Sequence, residues 1–242
     1  MTGDLPLLAD RVSLAIMTSS ALIGLGASNG ESMATHWAAI IGVNQYSPSL
    51  QPLMFAQLDA IELYSFFVEE IGWPQEQCLL FTDILASSAG HALEPSLASI
   101  QARLRRLCLQ TLTSEDTLWV FFSGYGMVWE GQDYLLPTDG DPEHITETGL
   151  SIQFLLEQLK AAPTSNILVL LDMNRSQLAL PNQPLGAQTL ELAKGLGIPL
   201  ILSCQPEQFS QETLAVRHGL FTAALLEGMR FHGCLASSQL AN

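Results

Sequence analysis

Five short, almost purely apolar runs constrain this chain more than any other feature: Trp37–Val43, Cys78–Phe81, Thr117–Phe122, Ile167–Leu171 and Pro199–Leu202. None alternates with polar residues as a half-solvated strand would, so each reads as a strand buried on both faces. The stretches between them carry helical spacing. Leu58, Ile61, Leu63, Tyr64, Phe67, Val68 and Ile71 form one apolar stripe, stopped at Gly72 with Pro74 just beyond. A second helix starts near Pro95, a residue tolerated in a first turn, and carries Leu97, Ile100, Leu104, Leu107 and Cys108 towards Leu112. Ile152–Leu159, Leu190–Leu196 and Leu220–Met229 read as further helices, Tyr134–Leu136 as an exposed hairpin strand, and Asn44–Pro52 and Ser87–Gly90 as loops. Alternation of this kind predicts an α/β fold, a mostly parallel central sheet with helices on both faces. Chemistry in such sheets gathers beyond the carboxyl ends of the strands, which points to the loops after Phe122 and Leu171.

Composition narrows the functional classes. The chain has 242 residues, 48% of them apolar and 14% charged, enough for one well-packed domain and incompatible with disorder as the main state. Nine Lys and Arg face 24 Asp and Glu, a formal charge of −15 that argues against nucleic acid and anionic membranes. A charged partner would be basic; the alternative, that the acidity serves solubility alone, stays open. Cys78, Cys108, Cys204 and Cys234 lack CxxC spacing and sit in or beside apolar runs, as reduced thiols of a cytoplasmic protein do. No metal site and no cofactor is expected.

Residues 1–32 need a separate account. Val12–Ser28 is uncharged but broken by Ser13, Thr18, Ser19, Ser20, Gly24 and Gly26, and falls short of the ~20 apolar residues that span a bilayer. Asp4 and Asp10 oppose the lone Arg11, so the basic leader of a signal peptide is missing. A loosely attached arm or the product of an early start codon is expected here, ahead of a membrane anchor.

The two loops singled out above carry a recognisable pattern. Phe121-Phe122-Ser123-Gly124-Tyr125-Gly126, followed by Tyr134-Leu135-Leu136-Pro137-Thr138-Asp139, resembles the caspase-like signature of Ser-Gly-His-Gly and Tyr-Leu-hydrophobic-Pro-x-Asp. Leu170-Leu171-Asp172-Met173-Asn174-Arg175-Ser176 resembles its partner, Leu-Asp-x-Cys-His/Arg-Ser. Trp37–Tyr46 is similar to the family's first strand, Leu58-Asp59-Ala60 to its Asn-Asp-Ala, and His218–Gly228 to its small-subunit segment. The likeness runs in order from His36 to Met229 and is that of the orthocaspase and metacaspase branch. It implies a caspase-hemoglobinase fold over residues 33–235, p20-like to about residue 180 and p10-like from about 195 to 235.

The same resemblance puts the chemistry in doubt. Where the family has its catalytic His, this chain has Tyr125, and where it has the nucleophilic Cys, it has Asn174. A phenol with a pKa near ~10 is a poor base at neutral pH, and an amide is no nucleophile. Loss of either partner costs on the order of 10⁴ to 10⁶ in kcat. The expected protein is a pseudo-protease, a binding or regulatory module with no catalytic residues, its two substituted side chains free to hydrogen-bond each other. The alternative is a weakly active cysteine endopeptidase with Cys204 as relocated nucleophile and His218 or His144 as base. A structural module anchored by the arm is a third possibility. The family's P1-pocket positions are matched by Asp59, Ser123 and Asp172, which implies recognition of Arg or Lys side chains on a protein or peptide partner, or on active relatives. The other reading of Asp172 is a strand-end turn carboxylate. Calcium is not expected: Asp139 matches one calcium carboxylate of the family, but the later acidic positions are reduced to Glu147.

Overall fold

Every apolar run becomes a strand. The computed structural model describes residues 34–48, 50–83, 92–173, 175–178, 183–214 and 217–239, with side chains as far as Arg230. Residues 1–32, the loop expected at Ser87–Gly90, Asn174 and the side chain of Cys234 lie outside that description. From the amino end the elements are β1 (His36–Gly42), α1 (Ala56–Ser65), β2 (Cys78–Thr82), α2 (Leu97–Arg106) and β3 (Thr117–Ser123). Then come β4 (Gly126–Trp129), β5 (Gln132–Leu135), α3 (Ile145–Thr148), β6 (Leu150–Ser151), α4 (Ile152–Lys160) and β7 (Asn166–Asp172). The chain continues through α5 (Ala187–Leu196), β8 (Leu200–Leu202), β9 (Glu212–Thr213), β10 (His218–Gly219) and α6 (Leu220–Gln239).

Five strands form one sheet in the order β2-β1-β3-β7-β8, with every pairing parallel. Successive side chains of a strand point to opposite faces, and both faces here are covered. Ala39, Ile41, Val120, Phe122, Val169 and Leu171 pack with Ile100 and Leu104 of α2 and Leu155 and Leu159 of α4. Their neighbours Ala38, Ile40, Trp119, Phe121, Leu168 and Leu170 face Ala60 and Leu63 of α1 and Phe221 and Leu225 of α6. Apolar demand from two sides explains why the strands carry no polar alternation.

Several expectations are corrected. Tyr134–Leu136 is not exposed: β5 lies between β4 and β6 in a small antiparallel sheet, and Tyr134, Leu135 and Leu136 are buried. The neighbouring Asp133 is buried too, because its Oδ2 accepts from the Gly186 and Thr189 N–H groups (3.2 and 2.9 Å) and the Thr189 hydroxyl (2.6 Å) at the start of α5. The two N–H groups lie at a helix amino end, whose backbone donors lack intrahelical partners and where a carboxylate is favoured. The first two helices end in wider turns. The N–H of Ile71 reaches the Phe66 carbonyl at 3.0 Å, and that of Leu112 reaches Leu107 at 3.0 Å, each five residues back. The final helix runs past Met229 to Gln239. Among the described residues no helix is long and apolar enough to cross a membrane.

The geometry that matters lies at the carboxyl edge. Gly42 of β1 is in register with Ser123 of β3, and Ser123 with Asp172 of β7, so three strands end level with one another. A Cβ on Gly42 would meet the Ala56 carbonyl and lie 2.6 Å from the Ala60 Cβ. The missing side chain lets α1 press onto the end of β1, which brings Asp59, in its first turn, over that edge.

Candidate functional site

Three expected pocket residues meet at that edge, and all are fully buried: Asp59 from α1, Ser123 from the end of β3 and Asp172 from the end of β7. The Ser123 hydroxyl donates to Asp59 Oδ2 at 3.1 Å. Asp59 Oδ1 accepts from the Gly219 N–H at 3.0 Å and faces His218 Nδ1 at 3.1 Å. A Cβ on Gly219 would stand 2.9 Å from Oδ2 of both Asp59 and Asp172, so the two carboxylates converge on one glycine of β10. Burial pushes the Asp59 carboxyl up from the ordinary carboxylate value; the His218 hydrogen bond opposes this, and the neighbouring Asp172 adds to it.

The centre of this acidic cluster is filled by Arg175, a residue that motif matching assigned no pocket role. Its guanidinium is buried, with Nη2 donating to Asp172 Oδ2 at 3.0 Å and to Ser123 Oγ at 3.3 Å. Its Nη1 donates to Ser210 Oγ at 3.2 Å, and the Ser210 hydroxyl in turn donates to Asp172 Oδ1. Ser210 and Gly219 come from the p10-like segment, far along the chain; Gly219 lies in the stretch that resembles the family's small subunit, while nothing in its local sequence marks Ser210. Arg175 did leave a signal: it is a cation three residues beyond an aspartate in a chain with only nine Lys and Arg. Glu212 of β9 belongs to the same enclosure. Its Oε2 and Oε1 accept from the N–H groups of Met54 and Phe55, each at 3.0 Å, where the chain enters α1.

The positions where the sequence leads us to expect the catalytic pair look different. Tyr125 is fully buried with Leu53, Met127, Leu136 and Ile145, and its ring meets Tyr46 edge-on at 4.8 Å between centroids. Its hydroxyl donates to the Gln51 carbonyl at 3.0 Å, and burial pushes its pKa up, so it holds its proton. Asn174, and with it the expected bond to Tyr125, falls outside the described residues. Cys204 is half-buried, its thiol donates to the Gln208 carbonyl at 3.3 Å, and desolvation raises its pKa. Neither imidazole proposed for it is paired with it: His218 faces Asp59, and the exposed His144 faces Asp141 at 2.9 Å. Asp139 is engaged as well, accepting from the Leu97 N–H at 2.8 Å at the start of α2. Among the described residues no group of three or more His, Cys, Asp or Glu side chains could hold a metal ion.

A parallel sheet covered on both faces, with a buried acidic cluster at the level ends of its central strands, defines an α/β domain. The chain belongs to the caspase-domain family, Peptidase C14, whose model matches residues 35–241. The fold is similar to that of protein GSU0716 from Geobacter sulfurreducens, with a TM-score of 0.57 and 17% identity over 82% of this chain and 83% of that one. No curated protein matches the chain.

Proposed function

We propose that this chain is a catalytically inactive member of the caspase-domain family that works as a binding or regulatory module. The observation that carries the reading is Tyr125, a buried phenol at the position where the family's imidazole stands, with its proton committed to the Gln51 carbonyl. A group held in this way neither activates a nucleophile nor shuttles a proton near neutral pH. Asn174 at the nucleophile position supports the same conclusion from the sequence. A relocated nucleophile finds little support, because Cys204 has a raised pKa and no paired imidazole.

Binding is supported by what surrounds the pocket. Met54, Phe209 and Leu214 are exposed apolar residues next to the segments that supply Glu212 and Ser210, and exposed apolar groups beside a polar site suit contact with another protein. The formal charge of −15 favours a basic protein or peptide over nucleic acid. A reducing cytoplasm suits Cys78, Cys108 and Cys204, all free thiols.

The test is cleavage of fluorogenic peptides ending in Arg, Lys or Asp, with and without calcium. No turnover above background is expected. Turnover that disappears on Cys204→Ser would overturn the proposal and establish the relocated site.

A further inference from the structure

We infer that Arg175 is an internal ligand: its guanidinium occupies the acidic pocket and closes it to the basic side chains of other molecules. The inference rests on Asp59, Ser123 and Asp172 being a pocket for such side chains. A guanidinium offers five donors in a plane and binds best where carboxylate and hydroxyl oxygens surround it. Arg175 meets that environment at both Nη atoms, while its buried Nε–H has no hydrogen-bond partner. Asp172 accepts directly from Nη2, and Ser123 accepts from Nη2 while donating to Asp59, so both buried carboxylates answer one cation. Ser210 accepts from Nη1 and donates to the other oxygen of Asp172, closing a ring of guanidinium, hydroxyl and carboxylate.

The position of the residue makes this an occupied site and not an incidental ion pair. Arg175 follows Asn174 directly, at the motif position where the family also carries His or Arg, so the cation comes from the loop that leaves β7. Both the guanidinium and the two carboxylates are shut away from solvent, with Arg175 4% exposed and Asp59 and Asp172 at 0%. A second guanidinium or ammonium group entering the same volume would have to displace the first. A partner's Arg or Lys therefore gains the pocket only when Arg175 leaves it, and the resting protein recognises partners through other surfaces.

The inference is tested on the intact chain in two ways. In the first, N-acetyl-arginine amide is titrated into wild type and Arg175→Ala by calorimetry, with N-acetyl-leucine amide as the apolar control. The variant should bind the arginine amide at least about tenfold more tightly than wild type does, since an emptied site with two carboxylates regains its charge-assisted bonds. The leucine amide should bind neither. In the second, native wild type is treated with phenylglyoxal and mapped by mass spectrometry. Arg103, exposed on α2, should be modified, while Arg175 should react only after unfolding. This experiment decides the matter even if Arg175→Ala does not fold. Labelling of Arg175 at the rate of Arg103 in the native protein would overturn the internal-ligand inference and leave the acidic pocket standing. A folded Arg175→Ala with no gain in arginine affinity would overturn both, and neither outcome depends on whether peptides are cleaved.

Discussion

A buried carboxylate keeps its charge only where donors replace the water it has lost. Asp59 has three such donors or partners, the Ser123 hydroxyl, the Gly219 N–H and His218 Nδ1, yet its carboxyl is still pushed up by burial. The folded state therefore holds the Asp59 proton more tightly than the unfolded chain does. Its contribution to stability is complete below the unfolded value of ~4 and is lost as pH rises through the raised folded value. Asp59→Asn removes this titration while keeping the side chain's shape. The stability of wild type relative to Asp59→Asn should fall as pH rises from about 4, read from urea midpoints at each pH. Ser123, His218 and Gly219 bond Asp59 directly, and Asp172 and Arg175 act on it through charge. A gap that stays flat or widens with pH would show that Asp59 is charged in the folded protein as readily as outside it.

Among the elements, α1 has the most to position, since it carries Asp59 and packs on β1, β2, β3 and α6. Its amino end has no side-chain cap of its own: Phe55 stands where Ser, Thr, Asp or Asn would usually serve. Glu212 of β9 takes over, accepting the N–H groups of Met54 and Phe55 and setting a negative charge at the positive end of the helix. Glu212→Ala should cost about 0.5–2 kcal/mol, the range for a lost helix cap, as a lowered denaturation midpoint with an unchanged slope. Because β9 pairs with β10, which carries His218 and Gly219, the loss should also loosen the pocket and speed phenylglyoxal labelling of Arg175. Unchanged stability would mean that solvent serves the entry to α1 as well as Glu212 does.

At the scale of the whole molecule, charge and core act in opposite directions. The sheet is buried on both faces by two apolar layers, and these hold the fold. The charge of −15 works against compactness through self-repulsion, which salt screens. Raising NaCl from about 0.01 M to 0.15 M shortens the Debye length from ~30 Å to ~8 Å. The melting temperature should then rise by about 2–4 °C, the shift that about 1 kcal/mol gives in a chain of this size. A fall with salt would mean that exposed pairs such as Arg230 with Glu70 outweigh the net repulsion.

The apolar runs and helical stripes determined the parallel sheet and its two covered faces, because burial on both sides demands uninterrupted apolar sequence. The motifs around Ser123, Tyr125 and Asp172 were equally legible, since a strand end and the residues after it are contiguous in the chain. Tyr134 and its neighbours read as exposed because their cover comes from distant segments, Leu53, Ala56 and Ile145 for Tyr134 and Leu136 and the core under α4 for Leu135, and no local pattern records it. Only the tertiary structure could put Gly219 between two carboxylates drawn from α1 and β7, or bring Ser210 and Glu212 to segments more than thirty residues away. The occupant of the pocket was hidden for the same reason. Arg175 lies beside Asp172 in sequence, but a side chain's direction in an irregular loop is set by what surrounds it, and its surroundings come from β3 and the segment before β9.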